Sequence, residues 1–268
     1  MANRTGFNGK VVWITGASSG IGEALSKSLA RQGAILYLSA RSLDALENTA
    51  RQCRDIGAQA HALPLDVTDS SAIKAAYDRI KNEQNKLDVL INNAGISSRG
   101  LVVESSMEVY RKVMEIDFFS TVEATKTVLP DMIQANSGRI IVISSLMGKF
   151  STPYRSAYCA AKHALHGFYD SLRAEVFKHH IQIQLVCPGF VSTQIAYKAL
   201  NHQGQSRLVN DESNKNGLPP DEFVDRLMPQ LLAGKDEIVI GGKETRGVWV
   251  KRFAPALLNR IMRKFEPK

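Results

Sequence analysis

Residues 138–162 have the sequence GRIIVISSLMGKFSTPYRSAYCAAK. The run 140–143 consists of β-branched residues without interruption, which is typical of a strand buried on both faces. Ser144 and Ser145 follow this run directly, and open α/β sheets bind their ligands at the carboxyl ends of their strands. The stretch therefore predicts a buried strand, a loop and a helix, with a binding site where the strand ends.

Two side chains suited to proton transfer lie in the predicted helix. Ser156 is expected to cap the helix, and Tyr158 and Lys162, four residues apart, then share one face. A tyrosine with an ordinary pKa of about 10 is protonated at neutral pH, and a neighbouring ammonium favours its charged form. A site that moves a proton to or from an oxygen is expected here. The same YxxxK spacing also fits an ordinary pair on a helix surface, so other parts of the chain must decide.

A glycine-rich turn near the amino terminus suits a phosphate group. Residues 10–15 predict a strand, and GASSGIG at 16–22 leads into a helical pattern that ends at Gly33. Glycines let the backbone approach a pyrophosphate closely, and the helix amino terminus supplies free N–H groups and positive potential. The alternative is a loop that only turns the chain, but the flanking strand and helix favour a dinucleotide site.

The end of the second predicted strand, 34–38, indicates which dinucleotide is bound. A site for NAD usually carries an acidic residue here for the ribose 2′-hydroxyl, whereas an arginine suits a 2′-phosphate. This chain has Ala40, Arg41 and Ser42, and a guanidinium binds phosphate strongly. The sequence therefore favours NADP(H), with a solvent-facing Arg41 as the alternative.

Strands and helices alternate along the chain, which predicts a parallel, doubly wound sheet with helices on both faces. The segment 194–220 is polar and rich in Asn, Gly and Gln, and we interpret it as a mobile lid over a substrate pocket. A solvated excursion without function is the alternative. The other expected elements are strands at 60–65, 87–91, 181–186 and 237–240 and helices at 43–54, 70–82, 106–134 and 220–233.

The length of 268 residues favours one large domain. We expect a dinucleotide-binding catalytic domain over 1–242, with the lid included, and a carboxyl-terminal extension over 243–268. No apolar run is long enough to span a bilayer, and the run from Val11 is too short for a signal peptide. Three widely spaced cysteines without a CxxC pair predict free thiols and no metal site. A cytoplasmic location is the resulting expectation.

The carboxyl-terminal extension carries most of the net charge of +8. It contains eight Lys or Arg against two Glu, and apolar residues recur at helical spacing from Trp249 to Phe265, with Pro255 suited to a first helical turn. A basic amphipathic helix can lie on an anionic membrane surface. It can equally pack on its own domain or on a partner subunit. Nucleic acid is not an expected partner, because the charge lacks interleaved base-stacking aromatics and a known reader motif.

Four motifs together resemble those of the short-chain dehydrogenase/reductase family. They are TGASSGIG at 15–22, NNAG at 92–95, Ser145 followed after thirteen residues by YxxxK at 158–162, and PGFVST at 188–193. They occur in the order and spacing of that family and cover almost the whole chain. The resemblance implies a single Rossmann-type α/β domain with a seven-stranded parallel sheet.

The resemblance also implies a role for each matching residue. Ser145 would hold and polarise the substrate oxygen, Tyr158 would give or take the proton, and Lys162 would bind the nicotinamide ribose and make the phenol a stronger acid. The remaining cofactor contacts would be Gly16, Ser18, Ile21 and Asn93 along the cofactor, Asp66 and Val67 at the adenine, and Pro188, Val191 and Thr193 beside the nicotinamide.

One position departs from the family pattern. Where the family usually has an asparagine in the helix before the catalytic strand, this chain has Asp117, within MEIDFFS. In the family that asparagine supports a water-linked proton relay to the lysine. An aspartate can still brace the helix, but it adds a charge where the family's relay has a neutral side chain.

These observations predict an NADP(H)-dependent oxidoreductase that transfers a hydride between nicotinamide and a carbonyl or secondary alcohol. Within the family, the chain resembles the microsomal hydroxysteroid dehydrogenase and acyl-dihydroxyacetone-phosphate reductase-like branch, whose substrates are often lipid-like or steroid-like. The resemblance lies in NNAGISSRG at 92–100, SSLMGK at 144–149, RSAY at 155–158 and the basic tail. The resemblance further implies a homodimer or homotetramer. The alternatives are a nucleotide-sensing regulator without turnover and a membrane-surface scaffold that uses 249–265.

Overall fold

A central parallel sheet positions every other feature of the fold. The computed structural model describes residues 6–209 and 212–264. Across the sheet, the strand order is β3-β2-β1-β4-β5-β6-β7. The order reverses between β1 and β4, which is where such sheets open a binding crevice. The strands are β1 (Val11–Thr15), β2 (Ile35–Ala40), β3 (Ala60–Pro64), β4 (Val89–Asn92), β5 (Gly138–Ile143), β6 (Ile181–Pro188) and β7 (Glu237–Ile240). The predicted single Rossmann-type domain with a seven-stranded parallel sheet is confirmed.

Helices connect the strands and cover both faces of the sheet. They are α1 (Gly20–Arg31), α2 (Leu43–Asp55), α3 (Ser70–Gln84), α4 (Met107–Met114), α5 (Ser120–Gln134), α6 (Ser156–Glu175), α7 (Gln194–Tyr197), α8 (Glu212–Lys215), α9 (Pro220–Leu232), α10 (Arg246–Phe253) and α11 (Pro255–Met262). Along β1, Val12 and Ile14 belong to one core with α1, α2 and α9, whereas Val11 and Trp13 belong to another with α3, α5 and α6. Because both faces are buried, the first four residues of the strand, 11–14, are all apolar.

The predicted helix 106–134 is interrupted near its middle. After α4, Glu115–Phe119 form a π-helical turn, and α5 follows it directly. Such turns are rare and are frequently found at functional sites. Asp117 lies within this turn, and its side chain points into the protein interior, where it is completely buried.

The prediction that Ser156 caps α6 was wrong. The helix begins at Ser156, and Arg155 precedes it as the capping residue, without a side-chain capping hydrogen bond. The Ser156 hydroxyl instead lies 2.7 Å from the Tyr110 hydroxyl of α4. The Ser156 hydroxyl therefore makes a tertiary contact between α4 and α6 instead of the capping hydrogen bond that the local sequence predicted.

The segment 194–220 contains more structure than its composition indicated. It includes α7 and α8, and Leu200 forms bridges with both Ser98 and Ser206. Leu200 and Ala196 are buried. The segment is thus attached to the loop that follows β4 rather than being a solvated excursion along its whole length.

The carboxyl-terminal extension forms two helices, so the prediction of one helical stretch was wrong. Ala254 separates α10 from α11 with φ −141° and ψ 60°, since the residue before a proline is pushed out of the helical region. Pro255 opens α11, as its predicted place in a first turn required. Phe265, the last residue of the predicted pattern, lies outside the described residues. None of the described helices is both long and apolar enough to cross a bilayer.

Candidate active site

The glycine-rich turn brings the ends of β1 and β4 into contact. Gly16 has a φ of +66°, and a Cβ there would lie 2.8 Å from Ala94 Cα. Asn93 Nδ2 donates to the carbonyl oxygens of Thr15 (3.1 Å) and Gly16 (2.9 Å). The side chain of Ser19 makes no capping hydrogen bond to α1 within the described part of the chain. Only glycine fits at position 16, and the turn places the first N–H groups of α1 where an anionic group could bind.

The ends of β2 and β3 supply the polar side chains on their side of the sheet. Arg41 is exposed, and the Ser42 hydroxyl accepts from the Ala45 N–H (3.5 Å) to cap α2. Asp66 Oδ1 accepts from the N–H (3.0 Å) and the hydroxyl (2.8 Å) of Thr68. The Thr68 N–H above all holds the pKa of Asp66 below its ordinary value. The carboxyl ends of β2 and β3 thus combine the exposed Arg41 guanidinium with an Asp66 carboxylate that Thr68 holds in one orientation.

Helix α6 carries Tyr158 and Lys162 to the carboxyl end of β5. Lys162 Nζ lies 5.6 Å from the centroid of the Tyr158 ring and donates to the Ile143 carbonyl oxygen (3.2 Å). Both side chains are buried. Ser145 is half-buried, and its Oγ accepts from the Met147 N–H (3.1 Å), which orients the hydroxyl. The arrangement brings a hydroxyl, a phenol and an ammonium to one end of the sheet, and this set of groups suits proton transfer.

Asp117 lies behind Lys162, away from solvent. Its Oδ2 forms an ion pair with Lys162 Nζ at 3.2 Å, and its Oδ1 accepts from the Ile96 N–H (2.8 Å). Burial raises the pKa of Asp117 above its ordinary value, while the ammonium and the N–H oppose this effect. Burial alone would lower the pKa of Lys162, but Asp117, together with Tyr158 and Cys187, outweighs burial and raises that pKa. Since either buried charge would be costly without the other, Lys162 is held as an ammonium.

The first serine of the pair, Ser144, has a different partner. Its Oγ lies 3.2 Å from His166 Nε2, and both residues are buried. Burial, assisted by Lys149, lowers the pKa of His166 to about 4, and the Glu237 carboxylate, 3.7 Å from Nδ1, offsets this only in part. His166 is therefore neutral at neutral pH, and its ring holds the Ser144 hydroxyl against α6.

The neutral state of His166 predicts a loss of stability in acid. Its pKa in the folded chain, about 4, lies below the ordinary value of 6.5, so the unfolded chain binds more protons between these values and stability falls as the pH falls through them. His166→Gln should reduce this fall by up to about 3 kcal/mol in urea denaturation between pH 7 and pH 4. His180→Asn, which changes an exposed histidine beyond the end of the same helix, is the control and should leave the fall in place. An identical slope in wild type and His166→Gln would contradict the assignment.

One cavity of about 770 Å³ joins these parts of the site. It lies along the carboxyl ends of the strands, and Asp117 lies behind its wall rather than in it. Ser145 lines it, as do the predicted cofactor contacts Gly16, Ser18, Ile21, Arg41, Ser42, Asp66, Val67, Asn93, Tyr158, Lys162, Pro188, Val191 and Thr193. The structure therefore brings the predicted residues together, and the roles assigned to them stay predictions.

Other parts of the cavity wall were given no role by the sequence. They include Ile96, Arg99, Lys112, Arg155, Phe190 and Leu200. Arg155 lies three residues before Tyr158, so its place at the start of α6 could have been inferred from helical spacing. Arg99 is placed by its backbone N–H, which donates to the Leu200 carbonyl oxygen (2.7 Å). No sequence pattern indicates a contact between residues so far apart.

The glycine-rich turn and the long cavity lie where the strand order of the parallel sheet reverses. This combination defines a dinucleotide-binding protein of the Rossmann type. Residues 10–204 match the family model of the short chain dehydrogenases. The chain therefore belongs to the short-chain dehydrogenase/reductase family, a family of oxidoreductases whose fold binds a nicotinamide cofactor.

Curated relatives match the chain over nearly its full length. The chain is 38% identical over 259 residues to dehydrogenase/reductase SDR family member 7B of Bos taurus, covering 94% of this chain and 80% of the relative. It is 36% identical over 268 residues to dehydrogenase/reductase SDR family protein 7-like of Anopheles gambiae, covering 98% and 84%. The similarity therefore includes the carboxyl-terminal extension as well as the residues matched by the family model.

Solved structures show the same fold. A short chain dehydrogenase/reductase of Burkholderia phymatum in complex with NAD superposes with a TM-score of 0.83 at 23% identity, covering 98% of this chain and 97% of that one. An alcohol dehydrogenase of Thermococcus sibiricus complexed with 5-hydroxy-NADP gives a TM-score of 0.76 at 25% identity, covering 87% and 97%. Since both kinds of dinucleotide occur on this fold, cofactor preference has to be argued from the individual side chains.

Proposed function

We propose that the protein is an NADP(H)-dependent oxidoreductase that interconverts a carbonyl compound and a secondary alcohol. The observation that carries the proposal is the shared cavity, which Tyr158, Lys162 and Ser145 line together with the glycine-rich turn. The residues fit a dinucleotide because Gly16 permits a close approach to the backbone and the cavity includes both Arg41 and Tyr158.

The chain's own residues would manage the substrate oxygen and its proton. A bound cofactor would supply or accept the hydride. The Ser145 hydroxyl would hold the substrate oxygen, and the Tyr158 hydroxyl would give that oxygen a proton in reduction and take it back in oxidation. The Lys162 ammonium would stabilise the phenolate that Tyr158 becomes, because an opposite charge nearby favours the ionised form.

Asp117 would act as a positioning residue behind this site. Its carboxylate holds Lys162 Nζ at 3.2 Å, while the Ile96 N–H anchors the other oxygen. We propose that it fixes the ammonium beside the Tyr158 ring and offsets part of its positive charge. The site then has a lower net charge than one with an asparagine at this position.

A turnover assay tests the proposed activity. Purified protein is mixed with NADPH and a panel of ketones and aldehydes, or with NADP and the matching alcohols, and the change in nicotinamide absorbance is followed. Turnover of at least one pair in both directions is expected. A protein that binds NADPH tightly but turns over no member of the panel would instead support the nucleotide-sensing regulator.

Arg41 is the basis of the proposed preference for NADP(H). It is exposed at the cavity wall beside Ser42, where a guanidinium can pair with a 2′-phosphate. Arg41→Asp should lower the ratio of kcat/KM with NADPH to kcat/KM with NADH by about tenfold or more, because a charge-assisted pair is replaced by repulsion. Arg51→Asp makes the same change on the exposed face of α2 and should leave the ratio unaltered. An unchanged ratio in Arg41→Asp would mean that a residue other than Arg41 contacts the 2′-phosphate.

We further propose a lipid-like or steroid-like substrate covered by the segment 194–220. The wall beyond the catalytic side chains combines apolar Ile96, Phe190 and Leu200 with the cationic Arg99 and Arg155, a lining that suits an apolar molecule with a polar or anionic end. A homodimer or homotetramer built on α5 and α6 and a cytoplasmic location complete the proposal. Analytical ultracentrifugation and cell fractionation test these two points.

A further inference from the structure

The outer face of the two carboxyl-terminal helices is apolar and exposed. Trp249 and Phe253 on α10 are 67% and 73% exposed, and Leu257 and Ile261 on α11 are 51% and 45% exposed. The rings of Trp249 and Phe253 stack with centroids 5.9 Å apart and an interplanar angle of 4°. We call these four side chains the tail patch. Among the described residues, they form a run of large apolar side chains at intervals of four, facing solvent.

The inner face of the same helices is already packed. Leu258 is buried in a cluster that includes Tyr158, and Val250 packs against that cluster. A Cβ added to Gly247 would lie 2.8 Å from the Phe150 ring, which shows how closely α10 approaches the domain. The extension is thus held against the domain by one face, while the side chains of the tail patch leave about half or more of their surface to solvent.

The charge around the tail patch has a single sign. From Arg246 to Lys264 the sequence contains no Asp or Glu. The basic residues in this range are all exposed, and they are Arg246, Lys251, Arg252, Arg260, Arg263 and Lys264. Whatever covers the tail patch must therefore accept large apolar side chains and several cations together.

We propose that the tail patch docks the protein on an anionic lipid surface. A second copy of the chain, placed on the same patch by twofold symmetry, would bring like charges together, which disfavours that occupant. The interfacial region of a bilayer accommodates aromatic rings, and anionic headgroups attract interspersed Lys and Arg. Because the inner face of the extension contacts the cluster that contains Tyr158, docking would hold this side of the domain close to the lipid. The proposal stands on the surface alone and does not depend on turnover.

Vesicle sedimentation with the full chain tests the proposal. Wild type should sediment with vesicles of phosphatidylcholine and phosphatidylglycerol, should bind pure phosphatidylcholine much more weakly, and should be partly released by added salt. The double variant W249S/F253S should lower the partition coefficient for the anionic vesicles by about tenfold, because binding scales with the apolar area inserted. The double variant K251E/R252E should lower it as well.

The control variant changes an equally exposed aromatic elsewhere. Phe177 is 83% exposed just after the end of α6, and F177S should bind anionic vesicles as wild type does. Circular dichroism and NADPH binding verify that each variant is folded. Absence of wild-type binding, or equal binding by W249S/F253S, would overturn the proposal. The proposal would also be overturned if W249S/F253S lost the oligomeric state of wild type and neither protein bound vesicles. The tail patch would then be an interface between copies. Loss of vesicle binding with turnover intact separates this proposal from the proposed activity.

Discussion

Tyr158→Phe is expected to lower kcat by about 10²- to 10⁴-fold, which is the usual contribution of a positioned general acid or base. The substitution removes only the hydroxyl. The ring, which lies 5.6 Å from Lys162 Nζ and packs beside Leu146 and Met147, stays in place. Binding of NADPH, measured by fluorescence titration, should therefore change little. The expected signature is a loss of turnover without a loss of cofactor affinity.

Tyr154→Phe is the matched control for this prediction. Tyr154 lies four residues earlier, is partly exposed and does not line the cavity wall. Removal of its hydroxyl should leave kcat within the error of the assay. A Tyr158→Phe variant with near wild-type turnover would mean that another group transfers the proton, and the role proposed for Tyr158 would be lost. Loss of NADPH binding in the same variant would show a role in cofactor binding that the proton-transfer argument does not include.

The features that sequence predicted best are those set by local pattern. The β-branched run of β5, the four-residue spacing of Tyr158 and Lys162 and the glycines of 16–22 each depend on neighbours along the chain. Parallel strands then place their carboxyl ends at one edge of the sheet, so residues that follow different strands meet there without further information. The sequence was therefore sufficient to predict the fold and part of the cavity wall.

The features that sequence did not predict depend on tertiary contacts. The Ser156 hydroxyl pairs with Tyr110 of α4 rather than capping its own helix, and the Ser144 hydroxyl lies against His166 of α6. Neither distance along the chain nor residue type indicates these pairs. The break at Ala254 is different, because the effect of a proline on the preceding residue is local and could have been used to predict two helices.

Asp117→Asn is expected to move the pH dependence of turnover downward by roughly one unit. The Asp117 carboxylate lies 3.2 Å from Lys162 Nζ, which lies 5.6 Å from the centroid of the Tyr158 ring, so the carboxylate oxygen is at most about 9 Å from that centroid. A unit charge at this distance is worth about 2 kcal/mol at an effective dielectric constant of 20, or slightly more than one pH unit. The negative charge of Asp117 disfavours the phenolate of Tyr158. Removal of that charge should therefore let the phenolate, which acts as the base in alcohol oxidation, appear at lower pH. Rate profiles of kcat in both directions measure the shift.

Glu115→Gln provides the control, because it removes an exposed carboxylate from the same π-helical turn and should leave the profile in place. An equal shift in both variants would indicate a general effect of net charge rather than of the buried ion pair. An upward shift in Asp117→Asn would mean that Lys162, whose pKa burial by itself lowers, loses its proton without the carboxylate. The phenol would then have lost its neighbouring cation, and the chief role of Asp117 would be to keep Lys162 charged. The sign of the shift thus distinguishes a carboxylate that moderates the ammonium from one that maintains it. The hydrogen bond that Lys162 donates to the Ile143 carbonyl oxygen does not involve Asp117 and favours the first.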